Sequence, residues 1–245
     1  MTGEILCVGT ELLLGDIMNT NAAFLARELA ALGISVYHQT VVGDNGGRLR
    51  EAVSLALSRS DLLVMTGGLG PTYDDITKET AAQALGKKLV WNQQAYDRME
   101  AYFLRTGRVM SENNRKQALM PEGAVVFQNE NGTAPGAALE TDGKIIVLLP
   151  GPPSEMEPMF CDQVRHYLEG KTGRTFFSRT VHLFGIGESA AEEQLRDLME
   201  SSSNPTIAPY AKTGEVLLRV TAAAPDREQA LRLLAPAVEK IQKRL

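Results

Sequence analysis

The stretch Asp61-Leu62-Leu63-Val64-Met65-Thr66-Gly67-Gly68-Leu69-Gly70-Pro71-Thr72-Tyr73-Asp74-Asp75-Ile76-Thr77-Lys78-Glu79 passes from an apolar run through a glycine break into a polar segment that can start a helix. Asp61 to Thr66 is short, continuously apolar and bounded by a glycine pair, which reads as a buried strand. Gly67-Gly68 ends it, and Asp75 to Leu85 reads as helical. A buried strand feeding a helix is the unit of a parallel sheet, because parallel strands need a crossover and the crossover is usually a helix.

The flanking sequence repeats that unit. Residues 4–9 form an apolar run ending in Gly9. Asn19 to Leu32 places Phe24, Leu25, Leu29 and Leu32 at helical spacing and stops at Gly33. Ile34 to Val42 is a second strand, followed by a helix marked by Leu49, Val53 and Leu57 and ending near Ser60. Beyond the decisive stretch, Gln93 to Thr106 is an amphipathic helix. Val125 to Phe127, Ala137 to Glu140 and Lys144 to Leu149 are strands, and Pro152 to Tyr167 is a helix opened by proline. The expected fold is α/β, a mainly parallel sheet sandwiched by helices. Gly170-Lys171-Thr172-Gly173 is polar and turn-rich, a boundary between residues 1–170 and residues 171–245. The second part has the order strand (Arg179 to Phe184), helix (Glu188 to Met199), strand near Ile207, turn at Lys212-Thr213-Gly214, strand (Val216 to Ala222), helix (Arg227 to Lys243), a small α+β domain.

Composition bounds the function. The 245 residues, 44% hydrophobic and 22% charged, exclude collagen, coiled coil and wholesale disorder. No apolar run approaches the roughly 18 residues of a membrane span, and the N-terminus lacks the basic and apolar regions of a secretory signal. Cys7 and Cys161 are too few for a disulfide framework and read as reduced, packed thiols, so a cytoplasmic location is expected. Residues 1–170 carry 14 Lys and Arg against 21 Asp and Glu, whereas residues 171–245 carry 11 against 9. The larger part thus has no basic surface for nucleic acid, and if it holds phosphates it needs a cation or backbone N–H groups.

Ligands of an open parallel sheet bind outside the carboxyl ends of its strands. Three polar, glycine-containing segments fall there: Gly9 to Asn21, Thr66 to Glu79, and Leu149-Pro150-Gly151-Pro152-Pro153-Ser154-Glu155. The middle one is the richest. Gly67, Gly68 and Gly70 let backbone approach a phosphate, and Asp74 and Asp75 are hard oxygen donors suited to a divalent cation bridging a diphosphate. The plainer alternative is a glycine turn with an aspartate cap on the helix. Asp16 or Asn19 can likewise be a simple helix cap, and Pro150 to Pro153 a rigid turn. Asn129 to Pro135 is equally a fourth pocket wall or an ordinary loop. His38, His166 and His182 share no metal-ligand pattern, and Gly185-Ile186-Gly187-Glu188 suffices as a strand-to-helix turn.

Taken together, Gly9–Asn21, Thr66–Glu79, Asn129–Gly136 and Leu149–Met156 resemble the CinA (competence/damage-inducible) family over roughly residues 3–168. The resemblance implies the fold of the molybdopterin-binding domains of molybdenum-cofactor biosynthesis proteins. Residues 172–245 look like the family's small KH-like domain. For the first domain it implies a divalent-metal-dependent ADP-ribose pyrophosphatase giving AMP and ribose 5-phosphate, with Mg, Mn or Co. Asp74 and Asp75 are then metal or general-base carboxylates, Gly67, Gly68 and Gly70 hold the diphosphate, Thr10, Glu11, Asn21 and Thr77 belong to the substrate site, and Gly151 and Pro152 close it. Many family members continue into an amidase domain with a Glu-Ser-Cys-Thr-Gly-Gly type motif. No such string occurs here, so that deamidase activity is not expected.

The alternative on the same fold is a molybdopterin-binding or adenylyl-transferring protein. A KH-type RNA grip is disfavoured, since Glu188 stands where the second glycine of a Gly-x-x-Gly clamp belongs. The expected partner is therefore a small nucleotide diphosphate, with no nucleic acid and no membrane. The last helix of the second domain presents Leu231, Leu234, Val238 and Ile241 at helical spacing, a face whose default partner is its own three-stranded sheet; a homodimer is expected from the apolar surface that remains.

Overall fold

The computed structural model describes residues 1–172, 175–212 and 215–245. The chain divides into two compact units, one of Met1–Leu29 with Ile34–Leu168, the other of Ala30–Gly33 with Glu169–Leu245.

In chain order the first unit contains β1 (Thr2–Val8), α1 (Thr10–Leu14), α2 (Thr20–Ala31), β2 (Ser35–Val42), α3 (Gly46–Arg59), β3 (Leu62–Thr66), α4 (Thr77–Ala84), β4 (Leu89–Trp91), α5 (Gln93–Thr106), a 3-10 helix (Glu112–Ala118), β5 (Leu119–Pro121), β6 (Val125–Phe127), β7 (Gly136–Thr141), β8 (Lys144–Leu149) and α6 (Pro153–Met159). A π-helical turn (Phe160–Val164) leads into α7 (Arg165–Thr172). Six strands form one sheet in the order β2-β1-β3-β8-β7-β6. The first four run parallel; at one edge β7 pairs antiparallel with β8, and β6 pairs antiparallel with β7. β4 and β5 pair separately.

Strand side chains alternate between faces. Leu6, Val8, Leu63, Met65, Ile146 and Leu148 pack with Leu49, Val53 and Ala56 of α3 and Ala81 of α4. The intervening Ile5, Cys7, Val64 and Val147 are just as deeply buried, so the other face is covered too. There α2 brings Leu25 and Leu29, and α6 with the π turn brings Met156 and Phe160; Phe24 meets Phe160 edge to face at 5.8 Å. Burial on both faces is why these strands read as continuous apolar runs rather than alternating ones.

Three expectations need correction. The helix expected from Pro152 to Tyr167 is broken into α6, a π turn and α7; Pro158 lies inside α6, lacks an N–H and cannot close the regular ladder. Gly170-Lys171-Thr172 is the end of α7 rather than a turn, while Gly173 lies outside the described residues. Helix α4 begins at Thr77, and its N-cap position is Ile76 with no side-chain cap, so neither Asp74 nor Asp75 caps it. The short elements α1, β4, β5 and the 3-10 helix have too few residues for periodicity to reveal them.

The second unit contains β9 (Thr175–Phe184), α8 (Glu188–Ser201), β10 (Thr206–Lys212), β11 (Glu215–Ala224) and α9 (Arg227–Arg244). The antiparallel sheet has the order β10-β11-β9. Of the expected turn Lys212-Thr213-Gly214, Lys212 is the last residue of β10, and Thr213 and Gly214 lie outside the described residues. Along β11 burial alternates strictly, with Val216, Leu218, Val220 and Ala222 inward. They meet Ala191 and Leu195 of α8 and Ala230, Leu234 and Ile241 of α9, so the apolar stripe of α9 is covered by its own sheet. Gly185, at φ +78°, turns the chain from β9 into α8, and Gly187 is the N-cap.

Candidate functional site

Strands β1, β3 and β8 are neighbours, with Cys7 opposite Thr66 and Thr66 opposite Leu149. Their carboxyl ends therefore deliver the three polar segments to one place. Hydrogen bonds fasten them together. The Thr66 hydroxyl donates to the Pro150 carbonyl (2.7 Å). Asn21 Nδ2 donates to Thr66 Oγ1 (3.0 Å) and to the Gly151 carbonyl (2.7 Å). The Gly67 N–H donates to the Leu149 carbonyl (3.1 Å).

Two adjoining cavities open at this edge. One of about 350 Å³ is walled by the glycine loop, Asp74, Asp75, Gly151 and Pro152. Thr133 and Ala134 of the 129–135 loop form its fourth wall. A flanking cavity of about 250 Å³ is lined more by apolar groups, including Leu12, Ile17 and Met18, and also by Asn21. Glu11, Gly151 and Pro152 border both. Gly67 is obligatory: its φ is +97°, and a Cβ there would fall on the Val8 carbonyl oxygen. Its N–H is taken by Leu149, so Gly67 shapes the loop instead of offering that donor to a ligand.

Five carboxylates border the larger cavity: Glu11, Asp44, Asp74, Asp75 and Glu155. Among the described residues no Lys, Arg or His lines it. Thr72 folds the aspartate pair into a compact loop: its one hydroxyl proton is shared between Asp74 and Asp75, and its N–H donates to Asp75 Oδ2 (2.8 Å). The Thr72 hydroxyl bond holds the Asp74 carboxyl below its ordinary range. Among the described residues no three Asp, Glu, His or Cys side chains converge to hold a metal alone. Paired carboxylates at an open cavity fit a hard divalent cation that keeps waters and completes its shell with a ligand's phosphate oxygens.

Two expected site residues are placed differently. Thr77 is fully buried, its N–H bonds the Gly68 carbonyl (3.2 Å), and it is absent from the cavity wall; it supports the glycine loop from below. Thr10 is also off the wall. Its N–H (2.9 Å) and hydroxyl (2.8 Å) donate to Asp44 Oδ2, and the Asp44 N–H returns a bond to the hydroxyl (3.1 Å). Thr10 thus orients Asp44, a residue that sequence reasoning missed although it follows β2 at the same sheet edge.

Lys116, Gln117 and Lys78 were missed as well. Lys116 Nζ donates to the carbonyls of Thr72 (3.1 Å) and Asp75 and lies 3.5 Å from the Glu79 carboxylate. Gln117 Nε2 donates to the Leu69 carbonyl (3.3 Å). Lys78 is buried and donates to the carbonyls of Lys116 (3.0 Å) and Gln117 (3.3 Å); burial lowers its pKa to about 8. The 3-10 helix therefore clamps the glycine and aspartate loop from behind. The two segments lie about 40 residues apart, beyond any local motif.

Comparison with known proteins gives a consistent result. Residues 4–170 match the family model described as a probable molybdopterin binding domain, and residues 178–245 match the damage-inducible protein CinA KH domain. The chain is 52% identical over all 245 residues to a putative competence-damage inducible protein of Clostridium acetobutylicum and 53% identical to that of Clostridium beijerinckii. It spans 60% of the length of each. A crystal structure of the protein CinA, of unknown function, from Thermoplasma acidophilum superposes with a TM-score of 0.62 at 34% identity, over 68% of this chain and 98% of that one. The three polar loops thus sit on a molybdopterin-binding-like domain followed by a KH domain, and the chain belongs to the CinA family.

Proposed function

We propose that the first unit hydrolyses ADP-ribose to AMP and ribose 5-phosphate with a divalent cation, Mg²⁺, Mn²⁺ or Co²⁺. The observation that carries this reading is the cavity of five carboxylates without a lining cation, set beside a glycine loop. A diphosphate carries negative charge and is repelled there unless a cation accompanies it. Asp74 and Asp75 would hold that cation, which when bound neutralises diphosphate charge and lowers the pKa of water. Gly68 and Gly70 let the backbone come close to the phosphates. Asn21 braces the wall formed by Gly151, and Glu11 borders both cavities, where a ligand extended across a diphosphate fits.

A second reading is favoured by one specific observation, the family match to a probable molybdopterin binding domain. In it the same loop holds molybdopterin, or transfers an adenylyl group to it. The two separate in a panel of ADP-ribose, NADH, FAD and molybdopterin, each with Mg²⁺, Mn²⁺ or Co²⁺. The first reading expects AMP and ribose 5-phosphate from ADP-ribose and none in excess chelator. Tight molybdopterin binding by calorimetry without ADP-ribose turnover selects the second.

The division of labour is also a proposal: residues 1–170 bind the nucleotide, and residues 171–245 serve assembly as a cytoplasmic homodimer. A chain ending near Lys171 should bind the nucleotide normally and sediment as a monomer while the full chain sediments as a dimer.

A further inference from the structure

Glu155 borders the larger cavity from the first turn of α6. The 129–134 loop is strapped across it. Asn129 Nδ2 donates to Glu155 Oε2 (2.7 Å) and to the Ala134 carbonyl (2.9 Å), and Asn131 Nδ2 donates to the Ser154 carbonyl (3.2 Å). Gly132 sits so close over the carboxylate that a Cβ there would collide with both of its oxygens. The group is thus confined, half-buried, and held by a neutral amide. Off the cavity wall, two arginines bond Glu130 of the same loop: Arg98 pairs with its carboxylate at 2.9 Å, and Arg105 donates to its backbone carbonyl (2.9 Å). The titratable groups bordering the cavity with Glu155 are Glu11, Asp44, Asp74 and Asp75, all of them acids. Burial raises the Glu155 carboxyl above its ordinary range, and the Asn129 bond opposes that rise.

We propose that Glu155 is the general base of the hydrolysis, accepting the proton of the attacking water; this rests on the ADP-ribose reading above. The water oxygen forms a bond to one phosphorus as its proton passes to the Glu155 carboxylate. The bond from that phosphorus to the bridging oxygen breaks, and the oxygen leaves with the electron pair on the other phosphate. That phosphate takes up the proton as Glu155 releases it, so one water is consumed and AMP and ribose 5-phosphate are formed. A base confined by its loop and less acidic than an ordinary carboxyl suits proton removal near neutral pH. Both Asp74 and Asp75 are then left to hold the cation.

The test is the pH profile of ADP-ribose hydrolysis by the full chain with saturating Mn²⁺. Glu155→Gln should lower kcat on the order of 10²-fold, leave KM within about twofold and remove the acidic limb of kcat. Glu155→Asp should recover part of kcat together with the limb. Asn129→Ala removes the bond that favours the charged form, so the limb should move to higher pH; this variant decides the matter if Glu155→Gln does not fold. An unchanged kcat or a retained limb in Glu155→Gln, or an unmoved limb in Asn129→Ala, overturns the role of Glu155 while the ADP-ribose reading stands. A wild-type chain that turns over no ADP-ribose with any of the three cations overturns both.

Discussion

The two ends of the central sheet treat charge in opposite ways. At the amino end, Glu4 is almost wholly buried but fully partnered: Arg59 donates from Nε (2.8 Å) and Nη2 (2.7 Å), and Thr40 donates at 3.2 Å. Burial alone would raise the Glu4 carboxyl; the Arg59 guanidinium carries it below its ordinary value instead. Asp61 accepts from the N–H (2.8 Å) and hydroxyl (3.0 Å) of Thr2, and Lys144 donates to the Ser60 carbonyl (2.9 Å). At the carboxyl end, five carboxylates border one cavity, and the nearest clamp, Lys116, gives its protons to carbonyls of the loop behind it. An ion pair that satisfies itself holds strands together. Five acids with no cation lining their cavity repel one another until a positive charge enters, which is the physical ground for the ligand site proposed at the second end.

That contrast predicts different consequences for removing a carboxylate at each end. The largest effect is expected for Asp75→Asn: on the proposed cation-dependent reading, loss of a charge that would hold the cation should reduce turnover by about 10²-fold or more, on the order of 3 kcal/mol in the barrier, with an unchanged melting curve. The amide keeps an oxygen to accept from the Thr72 N–H, so the loop should persist. A variant with wild-type kcat moves the cation elsewhere, with Glu11 the next acid to test.

At the other end Glu4→Gln should do the reverse. Replacing the buried Glu4 carboxylate should lower the urea midpoint while the folded fraction keeps its kcat. The folded-state pKa of Glu4 is depressed, so its contribution is present above about 4.5 and disappears as pH falls through the lower folded value. The stability gap between wild type and Glu4→Gln should therefore close on acidification. A gap that persists well below that range assigns the loss to packing.

Lys78 sharpens the comparison from the alkaline side. Its folded pKa is about 8 against an ordinary 10.5, so the unfolded chain binds the extra proton in between and stability rises with pH across that interval. The gain should be on the order of 3 kcal/mol, since each tenfold difference in proton affinity between the two states is worth about 1.4 kcal/mol. Lys78→Met should lack that rise, which thermal melts between those two pH values will show. The smallest effect is expected for Thr10→Ala. Loss of the bonds between this exposed threonine and the half-buried Asp44 should raise KM severalfold, about 1 kcal/mol, with kcat retained.

Much of this architecture is visible in the linear sequence because its causes are local. Leu62 to Met65 and Ile145 to Leu149 are continuously apolar since both faces of their strands are covered, and Gly67, Asp74 and Asp75 stand at a strand end, where parallel sheets place ligands. Glu11, Asn21, Gly151 and Pro152 follow from the same rule. Thr10 and Thr77 show its limit. They lie within two residues of the cavity wall in sequence, but backbone geometry turns one toward Asp44 and buries the other under Gly68.

The sequence by itself therefore determined which strands are buried, where the chain turns and which loops carry oxygen-rich chemistry, because hydrophobic periodicity and glycine act within a few residues. Only the tertiary structure decided what faces those loops. Lys116 reaches the Thr72 carbonyl across 44 residues and Asn129 reaches Glu155 across 26. The partner of a buried polar group is chosen by proximity after folding, and no spacing along the chain records it.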